Sequence, residues 1–169
     1  LQGDVINQTI ENRLQEFAAF KDKSEDDWFS ELCFCILTAN AKQKTGAAIQ
    51  SQINSQGFKT LSQESLTDLI KINNHRFHNN KARYIVLARK HSNIKSTLAD
   101  KTEKESREWL VENVKGIGYK EASHFLRNTG AQNIAILDRH ILNLLHENKI
   151  IRKPEKLTSE NYKRIEKKC

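Results

Sequence analysis

Residues 114–122, Val-Lys-Gly-Ile-Gly-Tyr-Lys-Glu-Ala, constrain the fold more than any other stretch of the chain. Two glycines one residue apart, set between amphipathic runs, predict a tight turn joining two helices, because glycine reaches positive φ without a Cβ penalty. The helix after such a turn starts with unpaired amides and with the positive end of its dipole facing the turn, which suits a phosphate. Many helix pairs are joined by glycine turns that bind nothing, so the neighbours matter. Lys120 falls where the second helix begins, and Asp138 falls just before the next one.

The remaining pattern is helical throughout. Ile6, Ile10, Leu14 and Phe17 recur at intervals of three or four over residues 4–21, which predicts a helix with one buried stripe. Ser24 with Glu25, Asp26 and Asp27 forms a start signal, and the apolar run from Trp28 to Leu37 predicts a central buried helix that exits at Thr38-Ala39-Asn40-Ala41. A helix over 45–53 is expected to be broken by Gly57, and another spans 62–72. Thr102 and Glu105 make a capping-box pair, Asn128 and Gly130 close the helix after the glycine turn, Asp138 caps residues 141–145, and Pro154 marks a late loop. No stretch alternates with period two. The expected fold class is all-α, a single helical unit over residues 1–169 without repeats or linkers.

Composition narrows the partners. No run is long enough to cross a membrane and no signal-peptide pattern is present, so a soluble, non-secreted chain is expected. The chain opens on Leu1, so an initiator residue or a short leader is expected to be missing. A formal charge of +7 favours a polyanionic partner. Cys33 and Cys35 lie one residue apart inside a helical run and point to different faces, which suits buried thiols rather than a disulfide or a zinc pair. Without a cluster of four cysteines, an iron–sulfur centre held by thiolates is disfavoured. Trp28 and Trp109 each sit in an apolar stripe and read as core.

Lysine acts as a nucleophile only when neutral, so a catalytic Lys120 would need a cleft or nearby positive potential; a lysine at a helix start is otherwise a solvated group. Asp138 would face it if the two helix starts pack along one groove, and it also serves as a plain N-cap. The two roles are compatible, since a capping carboxylate stays ionised and fixed. His140 could donate to a phosphate or simply be exposed.

Taken together, Lys-Gly-Ile-Gly-Tyr-Lys-Glu-Ala-Ser-His-Phe-Leu-Arg-Asn followed by Asp-Arg-His resembles the helix-hairpin-helix and Gly/Pro-rich-loop-plus-aspartate signature of base-excision DNA glycosylases, with the hairpin at about residues 103–128. The match is closest to the archaeal type-two 8-oxoguanine DNA glycosylase/lyases, and Leu32–Asn40 and His75-Arg76-Phe77 are similar as well. The resemblance implies two helical subdomains with the active-site cleft between them. It implies Lys120 as the Schiff-base nucleophile and Asp138 as the carboxylate that stabilises the cationic sugar. It implies a DNA phosphate on the amides around Gly116, Ile117, Gly118 and Tyr119, with His140 as a further phosphate contact. Arg76 would meet the DNA, Phe77 would stack on the extruded base, and Asn40 would meet the orphaned cytosine. No cofactor is required, although a monovalent cation (K+ or Na+) on the backbone of Val114 and Gly116 is implied. The implied partner is duplex DNA carrying 8-oxoguanine opposite cytosine, bound by a monomer in the cytoplasm, associated with the nucleoid, of an archaeal or other prokaryotic cell. Members of the family continue into an aromatic-containing tail ending in lysine, so a chain that stops at Cys169 is expected to be partial.

Two other functions share parts of this pattern. A pyrimidine-damage glycosylase of the endonuclease III type has the hairpin, lysine and aspartate but also the cysteine cluster. A non-catalytic helix-hairpin-helix module needs the glycines but neither Lys120 nor Asp138.

Overall fold

The computed structural model describes residues 2–152 and 154–169; Leu1 lies outside the described residues. Among the described residues, ten α-helices follow one another: α1 (Gln2–Ala19), α2 (Glu25–Thr38), α3 (Gln43–Thr60), α4 (Gln63–Ile72), α5 (His78–Ala88), α6 (Ile94–Leu98), α7 (Glu103–Asn113), α8 (Tyr119–Asn128), α9 (Arg139–Glu147) and α10 (Ser159–Glu166). No strand occurs among the described residues, and the all-α expectation holds. None of the described helices is long and apolar enough to cross a membrane.

The starts form where the sequence places caps. Ser24 Oγ accepts from Asp27 N while the Asp27 carboxylate accepts from Ser24 N, and Thr102 and Glu105 close the same reciprocal box on α7. Ser62 caps α4 and Thr158 caps α10. The helix that follows Ser24 is the centre of the molecule. Phe29, Leu32, Cys33, Cys35, Ile36 and Leu37 are all buried, and α3, α5, α6 and α8 pack around α2. Each large apolar side chain buried there contributes roughly 1.5–3 kcal/mol. Trp28 packs at the edge of this core, its ring set edge-on to Phe125 at 5.8 Å, and Trp109 is likewise half-buried against it.

Two expectations are corrected. Gly57 does not break α3; the irregularity lies at Asn54, whose φ of 46° is tolerated because its Oδ1 accepts from Gln56 N and restarts the helix. Gly57 is needed instead for close packing, since a Cβ there would lie 2.5 Å from the Cβ of Ile53. The α1 stripe is also not buried: Ile6, Ile10 and Leu14 are each more than half exposed, and only Phe17 turns partly inward. Periodicity shows that a helix is amphipathic without showing what covers it.

A second, smaller core gathers Leu137, Leu142, Leu145, Ile151, Tyr162 and Ile165 from α9, α10 and the loops beside them. Helix α8 belongs to both cores. Ala122, Phe125 and Leu126 face the large one, whereas Tyr119 packs on the small one.

Candidate active site

The glycine turn is built asymmetrically. Gly116 has φ 89°, and a Cβ on it would meet Tyr84 Cδ2 at 2.4 Å, so glycine is required there twice over. Gly118 is extended at φ −105° and is the N-cap of α8, where an added Cβ would find only Glu121 Oε2 at 3.4 Å. Having no side chain, Gly118 caps nothing. Among the described residues the amides of Gly118, Tyr119 and Lys120 therefore meet no protein acceptor, and they stand at the positive end of α8. The side chains around them turn inward. Ile117 is buried in the large core, and Tyr119 gives its hydroxyl to Glu108, which Lys163 also contacts at 2.8 Å. What the turn offers outward is backbone.

One turn into α8 the chemistry becomes side-chain chemistry. Lys120 lies on the wall of a cavity of about 500 Å³ formed by α1, α2, α3 and α8, with its side chain 37% exposed and its Nζ 3.2 Å from Glu121 Oε1. His124, Arg127 and Asn128 share that wall. Their spacing from Lys120 is four, seven and eight residues, which puts all four on one helix face. Burial pushes the His124 pKa down, and the charges of Arg127 and Lys120 push it further, against Glu121 and Asp138. Arg127 Nη2 lies 3.2 Å from His124 Nδ1; since arginine only donates, Nδ1 accepts and Nε2 carries the proton. Lys120 lines this cavity, whereas Asp138 does not.

Asp138 is the N-cap of α9, its Oδ1 accepting from Ile141 N at 2.8 Å. The segment that delivers it is pinned. Ala135 N donates to Glu166 Oε1, while the Tyr162 hydroxyl accepts from Leu137 N at 3.0 Å and donates to Ala135 O at 2.8 Å. Glu166 in turn forms a forked pair with the buried Arg107, whose guanidinium lies 5.6 and 5.3 Å from the ring centres of Tyr119 and Tyr162. Arg107 thereby joins the starts of α8 and α9. Burial alone would raise the Glu166 pKa, but the bonds from Arg107 and Ala135 N outweigh it and hold it below the usual carboxylate range.

The remaining candidates lie at the C-terminus of α2. Asn40 is exposed with φ 59°, between Thr38 and Ala41 of the cavity wall. His75 Nε2 donates to Leu37 O at 2.8 Å while its Nδ1 accepts from Phe77 N at 3.1 Å. Lys81 Nζ donates to Ile36 O and Ala39 O at 2.6 and 2.8 Å, and burial lowers its pKa to about 8. The turn bearing Asn40 is thus tied to the segment bearing Arg76 and Phe77. Arg76 is exposed and covers the Phe77 ring at 4.4 Å; neither residue lines the cavity. His140 and Arg139 are exposed in the first turn of α9. Sequence reading missed Glu31, His124, Arg127 and Asn128. The last three were accessible from helical spacing, whereas Glu31 reaches the cavity only through the packing of α2 on α8.

The chain matches the family model described as 8-oxoguanine DNA glycosylase over residues 10–169. The 8-oxoguanine DNA glycosylase/AP lyase of Methanocaldococcus jannaschii is 51% identical over 168 residues, which is 98% of this chain and 81% of the relative. A crystal structure of the Methanocaldococcus jannaschii enzyme in complex with 15mer DNA containing 8-oxoguanine superposes with a TM-score of 0.91, covering 96% of this chain and 79% of that one. The 8-oxoguanine DNA glycosylase of Thermotoga maritima superposes with a TM-score of 0.90 at 38% identity, covering 98% and 80%. By the family model, the identity and the shared helical architecture, this chain belongs to the 8-oxoguanine DNA glycosylase family.

Proposed function

We infer that the protein is a bifunctional base-excision-repair enzyme that removes 8-oxoguanine from duplex DNA and nicks the strand as an AP lyase. The observation that carries this reading is Lys120 on a cavity wall at the bare start of α8, with Asp138 fixed at the start of α9.

A glycosidic bond inside a duplex is out of reach, so the nucleotide must leave the stack and enter the cavity. The α8 amides take a phosphate of the lesion strand, and the net positive charge of the chain steers the duplex toward them. Neutral Lys120 Nζ attacks the anomeric carbon; the N–C bond forms as the bond to the base breaks, and the base leaves with the bonding pair and takes up a proton. Asp138 faces the cationic sugar that develops and favours it electrostatically. Opening of the sugar ring gives the imine. Loss of a proton from the adjacent sugar carbon then expels the 3′ phosphate and nicks the strand.

Asn40 is assigned to the orphaned base, taken as cytosine, and Arg76, Phe77 and His140 to the DNA and the extruded base. The carbonyls of Val114 and Gly116 fit a K+ or Na+ ion. Val114 O takes only a 3.4 Å bond from Ile117 N, and Gly116 O has no protein donor among the described residues. Held there, the ion would lend positive charge to the phosphate site. Monomeric action in a prokaryotic cytoplasm completes the reading.

The test is single-turnover nicking of duplexes carrying 8-oxoguanine opposite each of the four bases, at several salt concentrations. Fastest nicking opposite cytosine, with affinity falling steeply as salt rises, is expected. Nicking of abasic DNA alone would remove the assigned substrate.

A further inference from the structure

The cavity that holds Lys120 has a second wall, and the steps above give it no role. Glu31 stands on it, in the middle of α2 and facing α8, with only 8% of the residue exposed. Its Oε1 accepts from Asn128 Nδ2 at 2.6 Å and from Cys35 Sγ at 3.8 Å. Asn128 is itself oriented, since its Oδ1 accepts from Arg127 Nε at 2.9 Å, while Gln50 on the neighbouring wall gives its amide to Ser30 O and Oγ at 3.3 and 3.1 Å.

Burying a carboxylate costs stability unless it is well bonded, and pinning α2 to α8 could be done by a neutral amide. A carboxylate offers about four acceptor positions on two oxygens, and Asn128 and Cys35 both bond Oε1. The other oxygen belongs to a residue on a cavity wall that already holds the proposed nucleophile. Burial pushes the Glu31 pKa up, with Asn128, Cys35 and Arg127 pulling the other way.

We propose that Glu31 is a specificity-determining residue that accepts a hydrogen bond from an N–H of the extruded purine. The proposal rests on the glycosylase reading above. Its chemical content is polarity. 8-oxoguanine carries an N–H at N7, where guanine has a lone pair. A fixed acceptor therefore attracts the oxidised base and repels the normal one. A site built around one hydrogen-bond polarity rejects the analogue that lacks it far more strongly than an apolar pocket can.

Glu31→Gln keeps the shape of the side chain and its bond from Asn128 but turns the remaining oxygen into an NH2 donor. Two single-turnover rates are measured for each protein: excision from a duplex with 8-oxoguanine opposite cytosine, and nicking of the same duplex with a preformed abasic site, which has no base to read. The ratio of excision to abasic nicking is expected to fall by at least about tenfold in E31Q, and the preference for 8-oxoguanine over guanine to narrow. Glu31→Asp, which keeps the acceptor but draws it back, should give an intermediate ratio. If both rates fall together, or if either variant keeps the wild-type ratio, Glu31 is only a strut between α2 and α8 and the proposal is overturned. Wild-type protein that nicks abasic DNA but never releases 8-oxoguanine would overturn the substrate reading instead, and the role of Glu31 with it.

Discussion

Helices α8 and α9 start in opposite ways. The first begins on Gly118 with no side-chain cap, leaving its amides without protein partners among the described residues; the second begins on Asp138, whose carboxylate fills the cap. A bare start keeps its partial positive charge for a ligand, whereas a capped start spends it holding one side chain in place. The proposed phosphate site and a fixed anion thus share the same backbone geometry, and the difference is one residue at the N-cap. The two starts are useful to each other only if they keep their relative position, which is the work of Arg107, Glu166 and Tyr162 beneath them.

The largest stability change should come from cutting that tie. Glu166→Ala leaves the buried Arg107 guanidinium unpaired and should cost about 3–5 kcal/mol in denaturant unfolding. The sign with pH follows from the lowered pKa of Glu166. Its contribution is fully present above the unfolded carboxylate value of about 4.3 and is lost as pH falls through the lower folded value. The wild type should therefore lose more stability below pH 4 than the Ala variant does.

Next comes the capped start. Asparagine caps a helix as well as aspartate does, so Asp138→Asn should unfold near the wild-type temperature while excising about 100-fold more slowly. Asp138→Ala should lose the same activity and, in addition, about 1 kcal/mol of stability. Equal activity in D138N would mean that Asp138 is a cap and nothing more.

The glycines give the sharpest contrast. Gly116→Ala places a Cβ at positive φ against Tyr84 and should cost on the order of 1–3 kcal/mol, with weakened duplex binding. Gly118→Ala meets only ordinary contact and keeps every amide, so a change within about 0.5 kcal/mol is expected. If the two variants behave alike, the asymmetry of the turn has no consequence.

The sequence presents those glycines as equals; only the backbone separates them. What it did make legible is local. Ser24, Thr102 and Asp138 were readable as caps because a cap and its partner lie three residues apart. The buried centre at α2 was readable because the run from Trp28 to Leu37 is apolar on most faces. Contacts distant in sequence were hidden: Arg107 with Glu166, Glu31 with Asn128, and Lys81 on the end of α2. Each joins a charged group to a partner far along the chain, and charged residues in a helix pattern read as solvated until packing buries them. Gly57 misled for a related reason, since a glycine required for a close contact looks the same as one that ends a helix.

The central claim is that the bare start of α8 presents a lysine nucleophile to a damaged base. Borohydride trapping tests it directly, using a labelled duplex with one 8-oxoguanine opposite cytosine and comparing the wild type with Lys120→Gln. The account predicts a covalent adduct with the wild type, at least about 1,000-fold weaker in the variant, while both proteins bind the duplex with similar salt dependence. An adduct of equal yield in the variant, or none in the wild type, would contradict it.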